Sequence, residues 1–476
     1  MNSVVSVQDR LTSRMSLVRC LVWSAIAVTG LASAHAQLRL NYTKVATLGI
    51  SPSVSNFVVG QFNTRLDFSF SSDTDLCLEI TNGVSLCEGV FASREARTSQ
   101  VVAAGDPAPG LGDFAGIVLG PTAMNAYGDV AMALVLEPLT TPLGLNSGIY
   151  RYSSAAHTIT GMVIPGITPL PGSARVKFLG VSEGVSINAN STIAFAGIVP
   201  TTAGLSNSTA GIGIYRVERS GRTTKVMAPG DPAPGGARFN FGARPSINDL
   251  NDVAFEAHLA GSEVIGGSNA PTVLEVEATG VYLMKARATR ATKVAQQGDL
   301  DPAGAKLRHA FAPALNNAGQ VLFVGDLTAA PDFNQSLGLY RLSGQTVTTV
   351  ARPGDTMPGG GIMKTIDNVG AARAQNQRGS ICFSAELENG DHGLYLLLPG
   401  RPLQLLLKTG SDIPGIGTFA SLQDGSGGPV INDVDQVMFA ANLTGGATVL
   451  LISSRPPAVS SPLRGTRTGG LSAGQR

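Results

Sequence analysis

The sequence predicts an all-β fold: a seven-bladed β-propeller of four-stranded blades, with the last blade closed by the N-terminal strand of the mature chain. Three observations predict it. An Asn-marked repeat occurs seven times, each repeat carries strand and turn signals for four strands, and the strand missing from the last repeat reappears near Tyr42.

An Asn is followed five and seven residues later by apolar side chains at Asn63 (Phe68, Phe70), Asn125 (Val130, Met132), Asn188 (Ile193, Phe195), Asn248 (Val253, Phe255), Asn316 (Val321, Phe323), Asn376 (Ile381, Phe383) and Asn432 (Val437, Phe439). Apolar residues two apart lie on one face of a strand. The third residue after the Asn is Gly128, Asn251, Gly319, Gly379 or Asp435 in five copies, types that tolerate a left-handed backbone, so an Asx-type hairpin turn is expected there. Leu66 and Ser191 depart from that pattern.

A Gly-apolar-aromatic triplet opens the next strand at Gly89, Gly148, Gly213, Gly280, Gly338 and Gly393. The fourth strand ends in Gly-Asp-x-x-Pro-like turns at Asp106, Asp231, Asp299, Asp355 and, after an inserted Ser, Asp412; the copy at Gly166 has lost its Asp. Four strands in about 60 residues match a propeller blade. The segment Tyr42 to Ala46 resembles the fourth-strand segments Thr224 to Met227 and Thr292 to Ala295, and the seventh repeat lacks such a strand at its own end. Placing the first strand in the last blade removes two sheet edges at once. An open solenoid or a row of small sandwiches is the alternative, and the displaced strand argues against it.

Residues 1–36 read as an export signal, with Arg10, Arg14 and Arg19 before an apolar run from Leu21 to Ala32 and a small-x-small site at Ala34 to Ala36. The expected product is secreted or periplasmic, with a propeller over 37–454 and a flexible tail over 455–476. In an oxidising compartment Cys77 and Cys87 are close enough to form a disulfide, while Cys382 falls in a strand pattern as a buried thiol. The formal charge of +1 supplies no field for nucleic acid, and no run in the mature chain reaches membrane-spanning length.

These markers resemble a family of secreted bacterial tandem-repeat proteins with an Asn-x-x-Gly-x-x-Ala-Phe signature. Asn248 to Phe255 and Asn188 to Phe195 keep the Ala-Phe ending, and Asn316 to Phe323 keeps the Gly. The resemblance implies a propeller-like exported protein and brings no established activity with it.

Second-to-third-strand loops and fourth-to-first connections share one face of a propeller. That face would carry Asp106, Asp231, Asp299, Asp355 and Asp412 as ligand candidates, unless each only caps its own turn. The leading functional expectation is a non-enzymatic, monomeric binding or scaffold propeller that contacts a protein or glycan there. The alternative is a hydrolase or lyase at the mouth of the central channel, where Arg244, Arg308 and His309 are the polar candidates. Non-repeating polar residues clustered at one mouth would mark an enzyme. No cofactor or metal is expected. Calcium is a weaker alternative at Asn248 to Asp252 and Asn432 to Asp435, because the other five copies lack the alternating acids that hard-cation loops bring. The Gly-apolar-Tyr tyrosines are expected to pack in the core rather than to form sugar platforms.

Overall fold

The computed structural model describes residues 38, 40–47, 57–72, 78–79, 85–86, 89–94, 97–138, 146–200, 210–260, 263–265, 272–274, 278–328, 336–367, 373–423 and 428–456. The expected export signal, Cys77, Cys87 and the tail beyond residue 456 lie outside these residues. Cys382 is a buried free thiol, and burial pushes its pKa up.

The fold is all-β, with small antiparallel sheets in a propeller-like arrangement; the one named helical element is the short 3-10 turn Pro234–Gly236. Three sheets show the repeat in its plainest form. Phe57–Phe62, Phe68–Ser72, Gly89–Arg94 and Arg97–Ala103 pair in order, as do Leu307–Leu315, Val321–Leu327, Leu337–Ser343 and Thr346–Ala351. Met363–Ile366, Ile381–Leu387, His392–Leu397 and Gln404–Lys408 form the third. In the second repeat, Phe114–Val118 and Ala123–Met124 together edge the strand Val130–Leu136. The third and fourth repeats are joined as one eight-stranded sheet through a single parallel pair, Ile212 with Phe241.

The strand Tyr42–Thr47 pairs antiparallel with Thr448–Ser453, from Tyr42 opposite Ser453 to Thr47 opposite Val449. First and last strands of the described chain therefore share a sheet. Tyr42 packs edge-on against Phe439 of Val437–Leu443, the strand beyond Thr448–Ser453 in the same sheet, with ring centroids 5.9 Å apart.

Each sequence marker has a physical cause. The side-chain oxygen of every marker Asn accepts the backbone N–H four residues on, as Asn188 does from Thr192 at 3.0 Å, which satisfies a buried donor in the hairpin turn. The residue three after the Asn is left-handed in all seven copies, including Leu66 (φ 67) and Ser191 (φ 57). The two copies that break the sequence pattern thus keep the backbone and carry its strain.

The glycine of Gly-apolar-Tyr lies under the tyrosine two residues on. A Cβ on Gly393 would stand 2.3 Å from the Tyr395 hydroxyl, and one on Gly338 2.7 Å from that of Tyr340. Tyr150, Tyr215, Tyr282, Tyr340 and Tyr395 are all buried, so their role is packing, as expected. Burial raises all five phenol pKa values, that of Tyr395 to about 12.

A further repeated position plugs the space between sheets. Phe114, Phe178, Phe239, Leu307, Met363 and Phe419 follow the turns and are each at most 3% exposed. Phe239 sits edge-on to Tyr282 at 5.0 Å, and Phe178 to Tyr215 at 4.9 Å. Burying a large apolar side chain stabilises by roughly 1.5–3 kcal/mol, so this position anchors each innermost strand.

Candidate functional site

The innermost strands Arg238–Ile247 and Leu307–Leu315 both shift register near the channel, between Ala243 and Ser246 and between Phe311 and Ala314. At these bulges Arg244 (φ 44) and Ala312 (φ 51) are left-handed, and each precedes a proline. Four residues before the marker Asn, the third and seventh repeats place Gly184 (φ 92) and Gly428 (φ 79) instead. A left-handed non-glycine costs about 1–2 kcal/mol, so the arginine is retained there against a local preference.

Arg244 reaches two carboxylates. Its Nη1 lies 3.2 Å from Glu256 Oε2 and its Nη2 3.7 Å from Glu183 Oε1. Glu256, on the strand Val253–Ala260, has a side chain only 10% exposed. The backbone N–H of Ala312, in the next repeat, donates to Glu256 Oε2 at 3.5 Å, and His258 Nε2 lies 3.8 Å from Oε1. Burial raises the Glu256 pKa, but the bonds from His258, Arg244 and Ala312 together outweigh it, and the net direction is down.

The next repeat repeats the chemistry with different residues. The Asp326 side chain is wholly buried, with Arg308 Nη1 at 3.6 Å and His309 Nε2 at 3.3 Å from Oδ2. The His309 ring stacks on Phe311 with centroids 4.9 Å apart, while His258 meets Phe241 edge-on at 5.1 Å. Burial lowers the His309 pKa, and the opposing pull of Asp326 and then Glu256 does not restore it. The imidazole is therefore neutral near pH 7, beside two carboxylates that stabilise any positive charge it gains.

The three channel candidates from the sequence, Arg244, Arg308 and His309, thus fall in one cluster, joined through Glu256 and Asp326. Those two acids escaped the sequence reading, although a charge inside an otherwise apolar second strand was the available signal. The register position of Glu256 is Ser71, Ala133, Ala196, Val324, Ser384 and Ala440 in the other repeats. Ten residues after the marker Asn, where Asp326 stands, the other repeats have Asp73, Val135, Ile198, His258, Glu386 and Asn442. Glu256 is thus the acid that departs from the repeat. A carboxylate-backed neutral imidazole is a general base, and nearby guanidinium groups hold developing negative charge on oxygen. A separate imidazole–carboxylate contact, His392 Nδ1 to Asp367 Oδ2 at 3.0 Å, lies in the sixth repeat.

The turn aspartates do something simpler. Asp106, Asp231, Asp299 and Asp355 each accept, through Oδ2, the backbone N–H three residues earlier, at 2.8–3.0 Å. Lys225 and Lys293 pair with the other oxygen of Asp231 and Asp299. Asp412 differs: Ser411 Oγ takes the capping role at 2.9 Å, and Asp412, itself exposed, begins the short strand Asp412–Ile413. In the copy at Gly166, Thr168 Oγ1 substitutes, accepting from Ile164 N at 2.8 Å. The recurrent acid is a turn cap that a hydroxyl replaces.

The loops weighed for calcium spend their oxygens on protein. Asp249 accepts from Ala189 N at 2.8 Å and Asn317 Nδ2 at 2.7 Å, Asp252 from Ala286 N at 2.8 Å, and Asp435 from Asn376 Nδ2 at 2.9 Å and Ser380 Oγ at 2.6 Å.

Against known proteins, the family model described as a family of unknown function, DUF7453, matches residues 49–396. No curated protein matches the sequence. Among solved structures, a puromycin-hydrolysing peptidase of Mycobacterium tuberculosis aligns with a TM-score of 0.45 at 11% identity over 88% of this chain. The chain spans 54%, about half, of that peptidase. A gluconolactonase from Xanthomonas campestris aligns with a TM-score of 0.33 at 10% identity, over 90% of this chain and 99% of its own. An α-L-arabinanase of Penicillium chrysogenum aligns with a TM-score of 0.35 at 10% identity, over 71% and 93%. No residue role is carried over from them.

Proposed function

The chain belongs to DUF7453, a family of unknown function, and on its own geometry we propose an exported seven-bladed β-propeller that performs acid–base chemistry, hydrolysis or elimination, at the loop-bearing mouth of its channel. The count of seven is supported by the seven marker turns and by the single pair joining the eight-stranded sheet, which makes that sheet two blades. The resemblance to the Asn-x-x-Gly-x-x-Ala-Phe repeat family supports export.

One observation carries the chemistry. Two carboxylate–imidazole–guanidinium sets, Glu256 with His258 and Arg244, and Asp326 with His309 and Arg308, adjoin across two repeats, and at the position of Glu256 the other repeats hold only small or apolar residues. Neutral His309 takes a proton from water or from an acidic carbon, and Asp326 stabilises the resulting imidazolium. Arg244 and Arg308 hold the oxygen on which negative charge develops. A positioned general base contributes about 10²–10⁴-fold. The scaffold reading drew on the variable second-to-third-strand loops and on the turn aspartates, and turn capping accounts for the aspartates.

The test is a panel of chromogenic esters, lactones, glycosides and uronate-containing polysaccharides, followed by His309→Asn and Asp326→Asn in whichever reaction is found. The expected result is turnover that falls by about 100-fold or more in His309→Asn with the fold intact by circular dichroism. No turnover across the panel, or turnover indifferent to both substitutions, contradicts the proposal.

A further inference from the structure

The channel beneath the marker turns holds a charge that the acid–base cluster does not use. Arg373, three residues before the marker Asn376, is 7% exposed and lines a cavity of about 120 Å³ beneath the marker turns. Its Nη1 donates to the carbonyl of Val59. Arg373 belongs to the sixth repeat and Val59 to the first, so the bond passes the seventh, which contributes the strands Gly417–Leu422 and Val430–Ile431.

Among the described residues, no carboxylate pairs with Arg373. Asp249 and Asp433 line the same cavity, but each is the residue after a marker Asn, at the outer rim. Asp249 is bonded to Ala189 and Asn317, and Asp433 to Gln377 N. Gln375 adds a second signal: its Nε2 donates to Gln320 O at 3.2 Å, while its buried Oε1 meets no donor among the described residues. Burying a guanidinium that meets a neutral carbonyl and, among the described residues, no carboxylate is costly, and burial lowers the Arg373 pKa to about 10. A water needs roughly 10–15 Å³ of such volume, so the cavity has room for a small ion with its hydration.

We propose that this cavity binds a small monovalent anion, a halide or a short-chain carboxylate, on the Arg373 guanidinium, with a water of its hydration shell donating to Gln375 Oε1. The anion neutralises the buried charge and reinforces the tie between the sixth repeat and the first. The site stands independently of the acid–base cluster, and its failure would leave that cluster untouched.

Two measurements on the intact protein test it. Crystals soaked in sodium bromide, and separately in sodium acetate, show which source supplies the anion. In parallel, Tm is titrated with chloride or acetate at fixed ionic strength, with gluconate as the balance, for the wild type and Arg373→Gln. The expected result is an anion within hydrogen-bond reach of Arg373 in one soak and a saturable Tm rise, roughly 2–3 °C larger in the wild type. No anion at Arg373 in either soak overturns the proposal. So does an adventitious ion only, seen in a soak but raising the Tm of both proteins alike. The soaks need no variant, so they stand even if Arg373→Gln fails to fold.

Discussion

Asn432 donates its Nδ2 to the backbone oxygen of Asn63 across 3.1 Å, although 369 residues separate the two. The same bond runs from Asn125 to Asn188, from Asn188 to Asn248, from Asn248 to Asn316 and from Asn376 to Asn432. Asn63 and Asn316 instead donate to Asp67 and Gln320 in their own turns. One side chain thus closes a hairpin with its oxygen and reaches the next repeat with its nitrogen.

Asn188→Ala should therefore destabilise more than Asn316→Ala. Both lose the turn acceptor, but only Asn188 also loses bonds to the next repeat, to the Asn248 carbonyl and to Asn251 Oδ1, while that carbonyl keeps its turn bond from Asn251 N. A hydrogen bond contributes about 0.5–1.5 kcal/mol net, so the difference between the two variants should be of that order in urea unfolding. Equal losses would deny the bond between repeats any weight.

Leu66→Gly should stabilise by about 1 kcal/mol, because glycine relieves a left-handed residue whose side chain is 41% exposed. Ser191→Gly should not follow, despite the similar φ. Ser191 Oγ donates to Asp129 Oδ2 at 2.9 Å and accepts from Asn125 Nδ2 at 3.2 Å. A matched pair of melting curves separates backbone strain from hydrogen bonding.

Turn capping makes a substitution series. Asp355→Ser should be nearly neutral, since Ser411 and Thr168 already do this work in other copies, and Asp355→Ala should cost about 0.5–1.5 kcal/mol. Calorimetry of the two variants checks it, and equal losses would remove the capping role.

Asp433→Asn should raise Tm at pH 7 and leave it unchanged at pH 3. Burial, then the neighbouring Asp249 and Asp435, push the Asp433 pKa up, against the bond from Gln377 N. A carboxyl whose folded-state pKa is raised favours folding while protonated. That contribution is lost as pH rises through the folded pKa. Asparagine keeps an oxygen for Gln377 N and removes the titration, so the Tm gain should appear only above the acid range.

Much of this was legible in the chain because the repeat exposes what each position must do. The asparagines, the Gly-apolar-Tyr packing and the pairing of Tyr42–Thr47 with the last sheet all follow from residue type and spacing. Leu66 and Ser191 looked like exceptions, since propensity does not reveal that tertiary context holds the same φ. The turn aspartates read equally as caps or as ligand groups in the sequence, because hydrogen bonding to the local backbone leaves no mark there distinct from ligand binding. Glu256 and Asp326 were hidden for another reason: their partners Arg244, His309 and Arg308 come from innermost strands, and contact between strands is set by register and bulges. Arg373 reaches Val59 past a whole repeat, which no local pattern encodes.

The titration of His309, followed by its imidazole nitrogen resonances, tests the proposed site most directly and needs no substrate. A neutral imidazole with a pKa below the ordinary 6.5 is predicted, dropping further in Asp326→Asn as the favourable carboxylate is removed. Stability should follow the same sign, rising with pH up to about 6.5, because the unfolded chain binds the extra proton. An ordinary histidine titration that ignores Asp326→Asn would contradict the coupling on which the acid–base site rests.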